Sequence, residues 1–171
     1  MALKPPVGIS DHKYGSEKAV IEIVEYGDYQ CPHCGAAHPV IKEIEKTFGD
    51  QIVFVFRNFP LRQSHGFAMV AAQAAEAAAL QNKFWEMHDA IFEHQDQLND
   101  AFLFYLAEQI ELDVDQFQVD LEAGRIIKKV EDDFESGIRS GVNGTPSFFV
   151  NGEKFDGAAT DLLEMLKEST T

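Results

Sequence analysis

A nearly continuous run of β-branched and apolar residues, "AVIEIVEY" (19–26), constrains the fold more than any other stretch of the chain. Such a run is typical of a central strand that is buried on both faces. After Cys34, apolar residues recur at helical spacing up to Gly49, and "IVFVF" (52–56) then indicates a second strand. This order predicts a βαβ unit with the two cysteines at its strand-to-helix turn.

The middle of the chain differs in character, because no convincing strand pattern occurs between about 65 and 139. Strands return at 147–150 and 153–155, joined by the strong hairpin turn Asn151-Gly152. The predicted helices lie at about 34–48, 67–81, 83–94, 100–110, 114–123, 125–138 and 160–168. We therefore predict an irregular lead-in at 1–18, an α/β domain built from 19–62 and 139–171, and an all-helical insertion at 63–138.

The charge balance argues against two classes of partner. The chain has 14 Lys and Arg residues against 29 Asp and Glu residues, for a formal net charge of −15. Such a surface should repel nucleic acid and anionic lipid. No segment approaches the roughly 20 apolar residues that span a bilayer, so we expect no membrane insertion.

The cellular location that the sequence predicts depends on whether the chain is full length. The first 18 residues lack the apolar region of a secretory signal. We expect a cytoplasmic protein if the chain is full length, and an extracytoplasmic or periplasmic one if it is a trimmed mature form.

The stretch "CPHC" holds the only two cysteines of the chain, Cys31 and Cys34. Cys31 falls near a helix start, where unpaired N–H groups and the helix dipole favour a thiolate. His33 adds a ring that can donate a hydrogen bond or a positive charge to the sulfur. Helix-terminal CxxC thiols have pKa values lowered to roughly 3.5–7.5. Cys34, one turn further, should be shielded and act as the resolving thiol.

Other roles for the Cys31–Cys34 pair have less support from the sequence. A structural disulfide across a two-residue gap would restrain almost no chain. A zinc site needs four ligands, and the histidines that could complete it form no second paired motif: His12, His38, His65, His88 and His94. A haem attachment site requires His directly after the second cysteine, where Gly35 stands. Redox exchange is the interpretation that remains best supported.

Three separated stretches, "VEYGDYQCPHC", "FWEMHDAIF" and "GTPSFFVNG", resemble the DsbA-like branch of the thioredoxin superfamily. They are similar to its subset of stand-alone proteins and domains fused to sodium/proton antiporters. The resemblance covers nearly the whole chain. It implies a thioredoxin fold, a central mixed sheet flanked by helices, with an inserted all-helical subdomain.

The resemblance also implies roles for individual residues. Cys31 matches the nucleophile, Cys34 the resolving thiol, and Pro32-His33 the dipeptide that stabilises the thiolate. Thr145-Pro146 matches the cis-proline loop that receives the substrate backbone; without the resemblance, this proline would be an ordinary strand-start proline. Oxidants of the branch commonly have Val before it. The Thr hydroxyl could bond the thiolate and shift the potential, which leaves the direction of exchange open.

Glu25 lies six residues before Cys31, where the family commonly has a buried acid under the disulfide. A carboxylate buried in a strand has a raised pKa and could accept or relay the proton of Cys34. Glu22, on the other strand face, competes by composition, and the family offset favours Glu25. Arg57, at the end of the second strand, is a candidate counter-charge.

These observations predict a protein dithiol–disulfide oxidoreductase, with the oxidase direction slightly favoured. It would need no metal and no cofactor beyond the Cys31–Cys34 disulfide. Its partners would be cysteine-containing protein substrates and a redox protein that recycles the disulfide, and we expect a monomer. The alternatives are a redox-sensing regulatory or binding module, and a cytosolic disulfide reductase or isomerase.

Overall fold

A five-stranded mixed sheet forms the centre of the computed structural model, which describes residues 1–170. The strand order is β1-β3-β2-β4-β5. β2 and β3 are parallel, and the other neighbouring pairs are antiparallel. The strands are β1 (His12–Gly15), β2 (Ile21–Gly27), β3 (Ile52–Asn58), β4 (Ser147–Val150) and β5 (Glu153–Phe155).

Seven α-helices accompany the sheet within the described residues. They are α1 (Pro32–Phe48), α2 (Ala68–Ala79), α3 (Phe84–Glu93), α4 (Asp100–Gln109), α5 (Val114–Leu121), α6 (Gly124–Arg139) and α7 (Ala159–Ser169). The prediction of a thioredoxin-type α/β fold is confirmed. Every helix of residues 1–170 is too short or too polar to cross a lipid bilayer.

The two central strands carry the core. All seven residues of β3 are buried, and β2 is buried from Ile23 onward. The larger apolar cluster lies on the sheet face of Phe54 and Phe56 and includes α1, α7 and residues of α2 to α6. A smaller one, around Tyr26 and Phe149, covers the other face. The prediction of a strand buried on both faces therefore holds for β2.

Residues 63–138 pack against the sheet through several helices, including α6 on β3 and His88 of α3 on Phe56, and they share its core with the alanine-rich α2. Ala71, Ala74, Ala75 and Ala78 are fully buried and belong to the same cluster as Phe56. Small side chains let neighbouring helices approach this helix closely. The helices between β3 and β4 thus share one core with the sheet.

The expected irregular lead-in at 1–18 is wrong in one part, because β1 pairs with β3 at the sheet edge. Its sequence, HKYG, is polar and mostly exposed. An edge strand has a single neighbour and one solvated side, so it needs no apolar pattern and could not be recognised by one. The rest of the lead-in contacts the hairpin, where the Leu3 amide donates to the Gly152 carbonyl.

The expected pairing of Arg57 with Glu25 is also wrong. Glu25 lies opposite Phe56 in the register, whereas Arg57 lies opposite Tyr26. Successive side chains of a strand point to opposite faces, which separates the two charges. Arg57 instead binds Asp11 at 2.8 and 2.9 Å and donates to the hydroxyl of Tyr26 at 2.9 Å. This ion pair fixes the lead-in to the sheet.

We expect Asp11→Ala to lower the free energy of unfolding by about 3 kcal/mol, because removing one partner of a buried ion pair strands the other charge. The side chains of Arg57 and Asp11 are only 3% and 5% exposed. Urea denaturation measures the change. Glu131→Ala is the control, since its pair with Arg62 is half exposed and should contribute under about 1 kcal/mol. Equal losses in the two variants would contradict this assignment.

Candidate redox site

Cys31 is the residue on which α1 begins. Its backbone is extended, with φ −68° and ψ 123°, and Pro32 occupies the first turn, where a missing N–H costs nothing. The Cys31 amide donates to the Asp28 carbonyl, and its own carbonyl accepts from Gly35. The Cys31 sulfur therefore lies at the N-terminus of α1, in the turn that follows β2, as the sequence predicts.

The surroundings of Cys31 lower the pKa of its thiol and so favour the thiolate form. The side-chain hydrogen bond with Cys34 lowers its pKa most, burial opposes this, and Thr145 together with the amides of Cys34 and His33 adds to the lowering. The net result is a pKa of about 5. At neutral pH the sulfur is therefore ionised, which is the state that attacks disulfides.

Cys34 has the opposite properties. Its side chain is 1% exposed, and its closest backbone donor is the Asp28 amide, 3.5 Å from Sγ. Burial, the hydrogen bond with Cys31 and the charge of Glu25 raise its pKa far above the usual range of a thiol. Both cysteines are free thiols in this structure. The pair thus consists of a nucleophile and a protonated, shielded partner.

The loop before β4 completes the site from a distant part of the chain. The Thr145–Pro146 peptide bond is cis. When Cys31 is protonated, its thiol donates to the Thr145 carbonyl oxygen at 3.6 Å, across 114 positions of sequence. The Thr145 hydroxyl is buried and has no hydrogen-bond partner within residues 1–170. It is therefore free to donate to a Cys31 thiolate, as the sequence suggests.

Pro32 and His33 lie on the exposed rim of the site. The amide of His33, rather than its ring, contributes to the lowered pKa of Cys31. The ring of His33 lines an open groove of about 360 Å³ that also contains Val40, Thr145 and Pro146.

Glu25 lies beneath the cysteines, as predicted, with 3% of its surface exposed. Burial raises its pKa to about 8, and the charges of Cys31 and Glu45 add to this. The carboxyl group is therefore mostly protonated at neutral pH. The sequence argument requires a protonated group of this kind near Cys34, and the role of Glu25 in accepting or relaying its proton stays a prediction.

Asp28 is a structural residue of the site that the sequence argument missed. Its buried carboxylate accepts from the amides of Gln30 at 2.8 Å and Leu61 at 2.9 Å, and contacts His65 Nδ1 at 2.8 Å. It thereby connects the CxxC turn to the loop after β3. The available signal was an Asp directly after a strand, a position that favours turns capped by the side chain.

Gln95, between α3 and α4, is a second missed residue. Its side-chain amide donates to the carbonyls of Tyr29 and Cys31 at 2.9 and 2.8 Å. It packs so closely on Gly35 that a Cβ there would collide with it. No local pattern relates position 95 to the cysteines, and only the fold brings them together.

A stabilised thiolate beside a shielded resolving thiol, facing a cis-proline loop, is the arrangement of a thiol–disulfide oxidoreductase. The family model described as thioredoxin matches residues 9–167. The chain therefore belongs to the thioredoxin family.

Solved structures support the DsbA-like prediction. The thiol-disulfide exchange protein alpha-DsbA2 from Wolbachia pipientis superposes with a TM-score of 0.82 at 25% identity, covering 94% of this chain and 86% of that one. BdbD from Bacillus subtilis has the same fold, with a TM-score of 0.81 at 24% identity and coverage of 94% and 90%. The predicted recognition of a DsbA-like member of the superfamily is confirmed.

Proteins with higher sequence identity to this chain than these solved structures are named as sodium/proton antiporters. The Na+/H+ antiporter NhaA 1 of Salinispora arenicola is 43% identical over 161 residues, which cover 94% of this chain and 24% of that protein. The chain thus spans about a quarter of the length of the curated relatives that it matches. This agrees with the resemblance to domains fused to antiporters.

The Cys34 side chain can be tested as the main cause of the lowered pKa of Cys31. Replacing it with alanine removes the hydrogen-bond donor, so the pKa should rise well above about 5. Replacing it with serine keeps a donor and should leave the pKa near that value. The alkylation rate of Cys31 against pH measures both. Identical profiles for Cys34→Ala and Cys34→Ser would refute this cause.

Glu25 should make the reduced protein less stable as the pH rises. Its folded pKa of about 8 exceeds the ordinary glutamate value of 4.5, so the folded state holds the proton more tightly. The resulting stability is complete below about pH 4.5 and is lost as the pH approaches 8. Relative to wild type, Glu25→Gln should therefore gain up to about 3 kcal/mol between pH 5 and pH 8. Urea denaturation under reducing conditions at both pH values tests this, and a constant difference would exclude it.

Proposed function

We propose that this chain exchanges disulfides with protein substrates through Cys31 and Cys34, and that it acts as an oxidant. The observation that carries the proposal is the opposite tuning of the two thiols, with a pKa of about 5 at Cys31 and a strongly raised pKa at Cys34. A stabilised thiolate in the reduced state makes the disulfide of such a pair a stronger oxidant. That stabilisation supports the oxidase direction.

The reaction conserves electrons between two dithiols. A substrate thiolate attacks Cys31 of the Cys31–Cys34 disulfide, forming a mixed disulfide and releasing Cys34 as a thiolate. Because Cys34 binds a proton tightly, it is protonated on release, and the neutral carboxyl group of Glu25 is the nearby proton source. A second substrate thiolate then attacks the substrate sulfur of the mixed disulfide, and Cys31 departs as a thiolate. The substrate loses two electrons, which the cysteine pair gains.

The substrate and the recycling partner follow from the site. The groove beside His33, Thr145 and Pro146 is open, and it suits a cysteine-containing polypeptide rather than a small enclosed ligand. A second redox protein would reoxidise the cysteine pair after each turnover. Ion transport by the antiporter relatives is not part of this proposal, since the chain matches 24% of the length of the first of them.

A redox-sensing module is the second candidate, and the partial match to larger antiporters favours it. In that role, oxidation of Cys31–Cys34 would change the affinity for a partner domain without catalytic turnover. Multiple turnovers with a protein substrate therefore separate the two candidates.

Catalysis is tested by mixing oxidised protein with a reduced, cysteine-containing substrate and a glutathione redox buffer. We expect the wild type to accelerate disulfide formation over many turnovers. Cys31→Ser should reduce the rate to background. Cys34→Ser should also lose most of the activity, because it cannot form the Cys31–Cys34 disulfide that a substrate thiolate attacks.

Two outcomes would overturn the proposal. The first is full activity in Cys31→Ser, and the second is a single turnover at most in the wild type. Faster reduction than oxidation of the same substrate in a matched buffer would retain the exchange chemistry and reverse its direction.

A further inference from the structure

A second cluster of potential ligand residues lies behind the cysteine pair. His38, four residues after Cys34 on α1, faces His88 and Asp89, which are adjacent on α3. Each of the three residues offers one ligand atom, and these atoms lie within 4.8 Å of one another. His38 Nε2 and Asp89 Oδ1 are 3.7 Å apart.

Two of these ligand atoms are buried without a partner. His38 Nε2 and Asp89 Oδ1 form no hydrogen bond within residues 1–170, although the His38 side chain is only 8% exposed. An unsatisfied buried polar atom costs about 1–3 kcal/mol, so native proteins rarely leave one without a role. Two such atoms that face each other indicate a missing bound species.

His88 is already oriented for coordination. Its Nδ1 lies 2.9 Å from the Tyr29 hydroxyl, and its ring is almost fully buried. Metal-binding histidines usually direct their second ring nitrogen to an oxygen in this way, which fixes the orientation of the ring. Burial lowers the pKa of both His38 and His88, which favours the neutral form of the ring that metals bind.

The surrounding charges are compatible with a cation. Lys42 Nζ binds the other carboxylate oxygen of Asp89, Oδ2, at 2.9 Å and also binds Glu45 at 3.0 Å. Oδ1 stays available. Glu93 also acts electrostatically on His38, so two further carboxyl groups, those of Glu45 and Glu93, and one ammonium group lie around the cluster. Asp89 is 27% exposed, which provides a route of entry for an ion.

We propose that His38, His88 and Asp89 bind one divalent transition-metal ion, with Zn²⁺ as the best fit. Two imidazole nitrogens and one carboxylate oxygen are typical zinc ligands, and water would fill the fourth position. The bound ion would join α1, which carries Cys34, to α3. This goes against the sequence-based expectation of no metal site, and it does not depend on the proposed redox function.

The test must separate this site from the cysteines, since thiolates also bind zinc. We therefore use the oxidised protein, in which the Cys31–Cys34 disulfide offers no thiolate. Titration calorimetry with Zn²⁺ should give one equivalent bound, and Zn²⁺ should raise the melting temperature. Co²⁺ should give visible ligand-field bands without sulfur-to-metal charge-transfer absorption.

Ligand variants then locate the ion. His38→Gln and Asp89→Asn should each weaken Zn²⁺ binding by more than about tenfold. Asp89→Asn should still fold if His38→Gln does not, because the Asp89 side chain is partly exposed. His94→Gln is the matched control: His94 directs its Nδ1 at the Ala90 carbonyl outside the cluster, and binding should be unchanged.

Three results would overturn the metal site. The first is no binding to the oxidised protein. The second is unchanged affinity in both folded ligand variants. The third is binding that appears only after reduction and carries sulfur-to-metal charge-transfer absorption, which would assign the ion to Cys31 and Cys34.

Discussion

The ionised sulfur of Cys31 is the group on which the rest of the site depends. It is nearly buried, so a charge there is costly unless hydrogen bonds offset the loss of water. The Cys34 side chain and backbone N–H groups at the start of α1 provide them. This requirement explains why α1 has to begin at Cys31, shortly after the end of β2.

Three parts of the chain hold that helix start in place. Asp28 connects it to the loop after β3, Gln95 connects it to the helical insertion, and Thr145 approaches it from the loop before β4. The contacts of Asp28 and Gln95 are to backbone groups, and that of Thr145 is to the Cys31 sulfur itself. They fix the distance between the sulfur and the groove in which a substrate would lie.

Much of the fold could be predicted because its signals are local. β2 and β3 are dense apolar runs, Asn151-Gly152 marks a hairpin, and each predicted helix is present with ends that differ by a few residues. β1 gave no such signal, because an edge strand needs no apolar pattern. The partner of Arg57 was missed because strand register, which sequence does not reveal, places it on the face opposite Glu25.

The same distinction holds for the site. Cys31, Cys34 and His33 lie within one motif, and Glu25 and Pro146 could be assigned through the family resemblance. Asp28 and Gln95 act through backbone groups, and polar residues of these types occur throughout the chain. Only the three-dimensional arrangement shows which of them reach the cysteines.

The contact between Gln95 and the CxxC turn has a consequence for how this protein can be altered. The amide of Gln95 contacts two carbonyls of the turn. Residue 35 is a glycine at the point of contact, where a Cβ would collide with Gln95. The insertion and the turn are therefore one unit for protein engineering. A helical insertion transplanted from a relative should be accompanied by its own CxxC turn, since either half alone would lack the surface that the other was shaped to fit.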